Sequence, residues 1–217
     1  MTDEQRVLAE VREEQGTVFL ALDNGEVLEL APQSVPRALP AAGESISSPL
    51  LAEIRLAAER KIVARRLFAM LDRRLYPVAR LRAKLDEGGY SDEAIEAVLE
   101  QMAANGIYSD RQFAEAYCRD CLRSKAVGRR YLENKLREKR VSKEMASTVP
   151  SEILDTETEK ELALKAARDR WPRVSGLEKR KAEARITRFL IGRGFPVGVA
   201  RQAVRQVQNE DGQEDRP

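Results

Sequence analysis

Apolar positions along this chain follow two different periods. In the first part they come in short runs. Val7-Leu8-Ala9-Glu10-Val11 alternates imperfectly, and Thr17-Val18-Phe19-Leu20-Ala21-Leu22 is followed by Asp23-Asn24-Gly25 and then by Glu26-Val27-Leu28-Glu29-Leu30. Two such runs around Asn-Gly predict a hairpin, because both residues tolerate the positive φ of a type I′ turn. Pro32, Pro36, Pro40 and Gly43 then break any regular element. Residues 1–47 therefore read as a small β-rich extension. A lone hairpin is marginal in water, so this unit is expected to pack on the rest of the chain or on a partner.

From Ser48-Pro49 to Val207 the period is helical almost throughout. Ser suits a helix cap and Pro the first turn, and Ile62, Val63, Leu67, Phe68, Met70 and Leu71 recur at helix spacing. Capping-box patterns at Ser109-Asp110-Arg111-Gln112, Thr156-Glu157-Thr158-Glu159 and Ser175-Gly176-Leu177-Glu178 mark further starts. Tyr76-Pro77 and Phe195-Pro196 place proline at a first turn. The polar end, 209–217, is expected to fray.

The helical part repeats. Leu81-Arg82-Ala83-Lys84-Leu85 leads to Tyr90, Leu132-Glu133-Asn134-Lys135-Leu136 to Val141, and Ile186-Thr187-Arg188-Phe189-Leu190 to Phe195. Each is an apolar pair four residues apart, a polar turn, and an apolar anchor before another amphipathic stretch. The copies are 51 and 54 residues apart. The fold class that follows is mainly α, with three tandem three-helix, helix-turn-helix-like modules at 48–106, 107–153 and 154–208. Units this small bury their faces by stacking, so an elongated curved rod is expected. Phe68, Tyr90, Phe113, Phe189 and Phe195 fall on apolar faces and are read as core.

Composition removes several function classes. No apolar run approaches the roughly 20 residues of a membrane span, and the mixed, charged start is not a secretory signal; a cytoplasmic protein without a membrane partner is expected. There is no histidine, and the only cysteines are Cys118 and Cys121. A tetrahedral zinc site would need two more such ligands, so the pair is read as small apolar residues within a helix. Neither a phosphate-binding G-x-x-x-x-G-K-S/T loop nor a G-x-S-x-G elbow occurs. The paired acids Asp92/Glu93 and Asp155/Glu157 stand at helix starts, where they favour the dipole. No catalytic residue, metal or cofactor is expected.

Charge adds a positive indication. The net charge is only +2, but it is blocked. Residues 55–84 hold ten basic and two acidic residues, 86–110 hold seven acidic and no basic, 111–143 hold eleven basic and four acidic, and 178–205 hold eight basic and two acidic. Basic blocks of this kind point to an anionic partner such as nucleic acid.

Several segments resemble the RecX family, in order and over nearly the whole chain. These are Arg65-Arg66 and Arg73-Arg74 ahead of Leu81-x-x-Lys84-Leu85, Gly106-Ile107-Tyr108-Ser109-Asp110-Arg111-Gln112-Phe113-Ala114, Gly128-Arg129-Arg130-Tyr131-Leu132-x-x-Lys135-Leu136, and Gly192-Arg193-Gly194-Phe195. The β-rich start is similar to that of longer members. Three positions depart from the family pattern: Pro77 stands where Ser or Thr is usual, Arg80 where an acid is usual, and Lys139-Arg140 where Lys-Gly is usual. Arg lacks glycine's freedom at positive φ, so a differently shaped turn is expected at Arg140.

The resemblance implies binding in the groove of the RecA–DNA filament, inhibition of ATP hydrolysis, strand exchange and co-protease activity, and a role in DNA repair and the SOS response. The partners expected are the RecA filament and single- or double-stranded DNA without sequence preference, bound by a monomer. Candidate contacts are Arg65, Arg66, Arg73 and Arg74 in the first module. In the second they are Arg123, Lys125, Arg129, Arg130, Lys135 and Arg137, and in the third Lys179, Arg180, Lys181, Arg185 and Arg188. Such residues position a partner by charge rather than read sequence. The competing reading is an autonomous helix-turn-helix DNA-binding protein, with the helix at 128–139 in a major groove. Basic residues spread over several modules, and the lack of a compact reading face, count against it.

Overall fold

The short apolar runs at the start of the chain pair as an antiparallel sheet. In the computed structural model, which describes residues 5–174 and 176–214, β1 (Arg6–Glu14), β2 (Thr17–Leu22), β3 (Val27–Leu30) and β4 (Ser45–Ile46) lie in the order β3-β2-β1-β4. Val18, Leu20 and Leu22 alternate inward, as a half-buried strand requires.

The Asn-Gly hairpin forms between β2 and β3, but its turn differs from expectation. Only Gly25 has positive φ (84°). Its N–H donates to the Leu22 carbonyl (3.0 Å), and the Leu22 N–H donates to the Glu26 carbonyl (2.8 Å). This is a three-residue loop closed by a glycine bulge. The side-chain oxygen of Asn24 accepts the Glu26 N–H at 3.0 Å, a use of Asn that needs no left-handed backbone. Consecutive positive φ values, the type I′ pattern, occur instead at Gln15 (50°) and Gly16 (72°) between β1 and β2.

Nine helices follow among the described residues: α1 (Ser48–Leu71), α2 (Val78–Asp86), α3 (Asp92–Ala104), α4 (Asp110–Ser124), α5 (Arg129–Glu138), α6 (Lys143–Ile153), α7 (Thr156–Arg170), α8 (Lys179–Gly192) and α9 (Val197–Glu214). None is long and apolar enough to cross a membrane. The chain divides into two units between Ile107 and Tyr108. The first holds the sheet and α1–α3. Leu8, Leu20, Leu22, Leu30 and Ile46 bury against Leu51 and Ile54 of α1. Arg55 on α1 pairs with Glu26 (2.7 Å), and that hydrogen bond holds the Glu26 carboxyl below its ordinary pKa. The β-rich extension thus packs on the first helix.

The second unit holds α4–α6 and α7–α9. Each helix triplet is built alike: the first helix lies on the third, and the short second helix packs against both. The repeat is physical. Leu81 and Leu85, Leu132 and Leu136, and Ile186 and Leu190 are all fully buried. After each pair the helix ends in the same turn. The N–H of the anchor donates back to the second apolar residue's carbonyl, Tyr90 to Leu85 (3.5 Å), Val141 to Leu136 (3.1 Å) and Phe195 to Leu190 (3.1 Å). Such a turn needs a left-handed residue before the anchor. Gly89 (φ 81°) and Gly194 (φ 84°) supply it, and so does Arg140 (φ 64°). The different turn expected at Arg140 therefore does not occur. The two buried leucines and the Val141 anchor impose the glycine geometry on an arginine, at a strain of about 1 kcal/mol.

Several helix starts shift by a residue. Ser109 caps α4 as expected, accepting the Gln112 N–H. The cap of α7 is Asp155, not Thr156; it accepts the Thr158 N–H at 2.8 Å, and that bond holds its carboxyl below the ordinary value. Ser47 rather than Ser48 occupies the cap position of α1, without a side-chain bond to the first turn, and Pro49 lies in that turn. Pro77 occupies the cap position of α2. Ser175 lies outside the described residues, and α8 starts at Lys179 after Glu178, so the third capping box does not open a helix. Phe68 is 43% exposed and is not core. The end of the chain does not fray at 209: α9 runs to Glu214, and Arg168 grips Glu210 with two bonds (2.6 and 2.9 Å).

Within the second unit the two triplets meet backbone to backbone. The Gly128 N–H donates to the Arg193 carbonyl (3.0 Å), and an Arg193 guanidinium N–H donates to the Ala126 carbonyl (3.2 Å). A Cβ on Gly194 would stand 2.2 Å from the Tyr131 nitrogen, and one on Gly128 would stand 2.4 Å from the Gly194 oxygen. Beside this contact Glu159, fully buried, accepts the backbone N–H of Arg129 (2.8 Å) and its Nε–H (2.9 Å). A carboxylate from α7 thus caps α5, satisfying a first-turn N–H that α5 leaves open.

The two left-handed positions have opposite expectations. Arg140→Gly should raise the unfolding free energy by about 0.5–1 kcal/mol, because the relieved strain exceeds glycine's added unfolded-state entropy. Gly194→Ala should lower it by about 3 kcal/mol, since both the backbone conformation and the contact with Tyr131 are lost. Urea denaturation of the purified variants reads both; equal effects would refute this account of the turns.

Candidate functional site

Basic side chains gather at three hollows. In the first unit Arg65 reaches back to Glu29 of β3 (3.6 Å). Arg66, Arg73, Lys84 and Glu87 line a hollow of about 350 Å³ beside Tyr76. The Arg74 guanidinium lies 4.4 Å from the Tyr76 ring centre, and the Lys84 ammonium 5.6 Å from it. An aromatic face between two cations holds them in place without neutralising them.

In the second unit the candidates of α4 and α5 divide by use. Arg123 pairs with Asp120 one turn back. Lys125 donates to the Tyr131 hydroxyl (2.7 Å). Lys135 pairs with Glu138 (2.6 Å), which raises its pKa, and Arg137 lies 3.8 Å from Glu133. Arg130 is exposed and makes no ion pair among the described residues. Arg129 is held by the buried Glu159 (2.8 Å) and by the Thr156 hydroxyl (3.2 Å). Arg129 therefore has a structural use in the fold.

On α8, Lys179, Arg180, Lys181, Arg185 and Arg188 are all exposed, and Lys181 pairs with Glu178 (3.2 Å). Arg180 and Arg188 face a hollow of about 510 Å³ that Arg201 and Arg205 of α9 also line, with Glu183 as its one acid. Lys179 and Arg185 do not line it.

The third hollow is a cleft of about 430 Å³ that lies against the glycine contact. Arg123 and Lys125 come from the end of α4, Lys165 and Arg170 from α7, Arg173 from the 3₁₀ turn Trp171–Arg173, and Arg193 from the turn after α8. Asp169 is the one acid. Phe189 forms part of the wall, and the guanidinium carbons of Arg170 and Arg193 lie 5.3 and 5.0 Å from its ring centre. Phe189 is thus half core, as read from its period, and half support for two cations.

Lys165, Arg170, Arg173, Arg193, Arg201 and Arg205 escaped the sequence-based selection. Between Glu157 and Arg173 five basic and four acidic residues alternate, so no block stands out. The helical period carried a usable signal: Leu162, Lys165, Ala166, Asp169 and Arg170 recur at three- and four-residue steps and line the cleft, whereas Arg168 spends its charge on Glu210.

The other chemistry-bearing groups are spent on packing. Cys118 and Cys121 are buried free thiols on one face of α4, and burial pushes the Cys118 thiol up to about 12. Burial, with a hydrogen bond to Cys121, also raises the neighbouring Tyr117 hydroxyl. No group of three Cys, Asp or Glu among the described residues is placed to hold a metal.

Comparison with known proteins bears on the same helices. The model of the second three-helix domain of RecX matches residues 109–149, and that of the third three-helix domain matches 157–204. These segments are α4–α6 and α7–α9. The chain is 36% identical over 142 residues to the regulatory protein RecX of Thermus thermophilus, spanning 65% of this chain and 89% of that one. To the regulatory protein RecX of Chromobacterium violaceum it is 32% identical over 162 residues, spanning 74% of this chain and 100% of that one. A crystal structure of regulatory protein RecX superposes with a TM-score of 0.75 at 18% identity, covering 93% of this chain and 99% of that chain.

Two expectations follow from the use each side chain is put to. Arg129→Ala should cost about 3 kcal/mol of stability, because it strands a buried carboxylate, whereas Arg130→Ala should stay within about 0.5 kcal/mol; denaturant titration separates them. Cys118 should resist a thiol reagent at neutral pH in the folded protein and react at once in guanidinium. Rapid labelling of both cysteines under native conditions would contradict their burial.

Proposed function

We propose, because the chain belongs to the RecX family of regulatory proteins, that it binds the RecA–DNA filament and damps it. In this reading it lowers recombinase ATP hydrolysis, strand exchange and co-protease activity, and so modulates DNA repair and the SOS response. It acts from the cytoplasm, as a monomer without catalysis of its own. The observation that carries the reading is the set of basic hollows, each lined by three or more cations and a single acid. Hollows with a surplus of cations suit a polyanionic partner.

Inhibition follows from linkage. A filament alternates between states, and a ligand favours whichever state it fits best. Tenfold tighter binding to a slow state shifts the balance by about 1.4 kcal/mol. The contacts are to phosphates and acidic side chains rather than base edges, so single- and double-stranded DNA are both accepted and sequence is not read. Binding should weaken steeply with salt, because each neutralised phosphate releases counterions.

The test is the rate of ATP hydrolysis by RecA on single-stranded DNA with increasing amounts of this protein, beside its binding to naked DNA. Turnover should fall at sub-stoichiometric protein, well below the concentration that coats free DNA. A fall only once the DNA is saturated would replace this reading with an autonomous DNA-binding protein.

A further inference from the structure

The cleft in the second unit differs from the other two hollows in how it is made. Its six cations come from four stretches of chain, the earliest and latest of them 70 residues apart. The dipoles at the ends of α4 and α7 favour a basic residue in each last turn, but they do not account for Lys165, Arg173 or Arg193. Nor are these charges spent on one another's neighbours: Lys165, Arg170 and Arg173 make no ion pair among the described residues, and Asp169 is the one acid in the lining. Bringing so many like charges together costs stability unless an anion joins them.

We propose that this cleft holds the phosphodiester backbone of a nucleic acid, with Lys165, Arg170 and Arg173 as the principal phosphate contacts. The inference rests on the reading of the chain as a filament regulator and assigns the strand contact to one place in it. Two features favour a nucleic-acid strand over an acidic protein face. The space, about 430 Å³, admits a thin chain with a charge on every link more readily than carboxylates projecting from a folded surface. The Arg170 and Arg193 guanidinium carbons lie over the Phe189 ring, 5.3 and 5.0 Å from its centre, a contact that leaves guanidinium N–H groups for the forked bonds that phosphate oxygens accept. Because Arg193 also donates to Ala126, an anion there would touch the joint between the two helix triplets. Occupancy should therefore stabilise the whole unit.

The experiment uses the full chain without recombinase. Fluorescence anisotropy of a labelled 20-nucleotide oligothymidylate is followed with increasing salt for the wild type, the triple variant Lys165→Ala/Arg170→Ala/Arg173→Ala, and the charge-matched Arg119→Ala/Lys143→Ala/Lys160→Ala. The cleft variant should bind at least tenfold more weakly, and the magnitude of its salt slope should fall by about 2, the share of three contacts on a single strand. The matched variant should lose less than about threefold, with its slope unchanged. Equal losses, or none in the cleft variant, would overturn the assignment. So would a cleft variant that binds oligothymidylate normally but no longer acts on the recombinase, since the cleft would then face protein.

If the triple variant melts early, Lys165→Glu alone decides, as Lys165 is exposed and removes no packing. Oligothymidylate should also raise the melting temperature of the wild type but not of Lys165→Glu. A wild type that binds through the cleft yet leaves RecA turnover unchanged would refute the regulator reading and keep this assignment.

Discussion

Two backbones that touch without side chains between them set the geometry of the second unit. Gly128, just before α5, and Gly194, in the turn after α8, approach so closely that neither has room for a β-carbon. Contact at that range is unforgiving, because backbone atoms cannot swing aside as a flexible side chain can. The neighbouring bonds depend on it. Arg193 reaches Ala126, and Glu159 reaches the first N–H of α5, only if the two helix triplets hold this spacing. A carboxylate with no solvent exposure is tolerable because it meets both a guanidinium and a helix N-terminus. The cleft inherits its width from the same contact, since its two walls belong to the two triplets that the glycines join.

The fold was largely legible because its repeat is a packing repeat. An apolar pair four residues apart followed at a fixed distance by an apolar anchor is the trace of one turn, and the turn recurs with the same hydrogen bonds each time. Arg140 shows where local reasoning falls short. Its intrinsic preference argued for another turn, but three buried apolar side chains outweigh a strain of about 1 kcal/mol. Asn24-Gly25 shows the converse. The pair marked the hairpin correctly, yet the loop length selected a bulged turn in which only the glycine needs positive φ. Helix starts slipped by one residue where two acceptors compete, as Asp155 and Thr156 do. The acid is the better cap, because its charge also meets the dipole.

The candidate site was legible only in part, for a physical reason. Counting charge along the chain finds cations that are neighbours in sequence, and these tend to lie on one helix, where acids one turn away claim them. Arg123, Lys135 and Arg137 are examples. The cleft cations come from separate stretches of chain, and of the acids interleaved with those of α7 only Asp169 lines the cleft. Glu159 was legible as a helix-start residue of α7, but its partner is the start of α5, 30 residues away. No spacing rule within one helix reveals a cap donated by another.

These uses of charge explain how a protein with a net charge of only +2 can still present hollows lined by several cations and a single acid. Beyond a Debye length of about 8 Å at physiological salt, a partner feels little of a nearly neutral chain. Within it, the pattern matters and the total does not. Acids concentrated in 86–110 and at helix starts satisfy arginines such as Arg82, which holds Asp92 and Glu96, and leave other cations unmatched where the surface is concave. A concave cluster focuses its field toward the opening. Any attraction of an anion to such a cluster is therefore short-ranged and local, set by the hollow itself rather than by the charge of the whole chain.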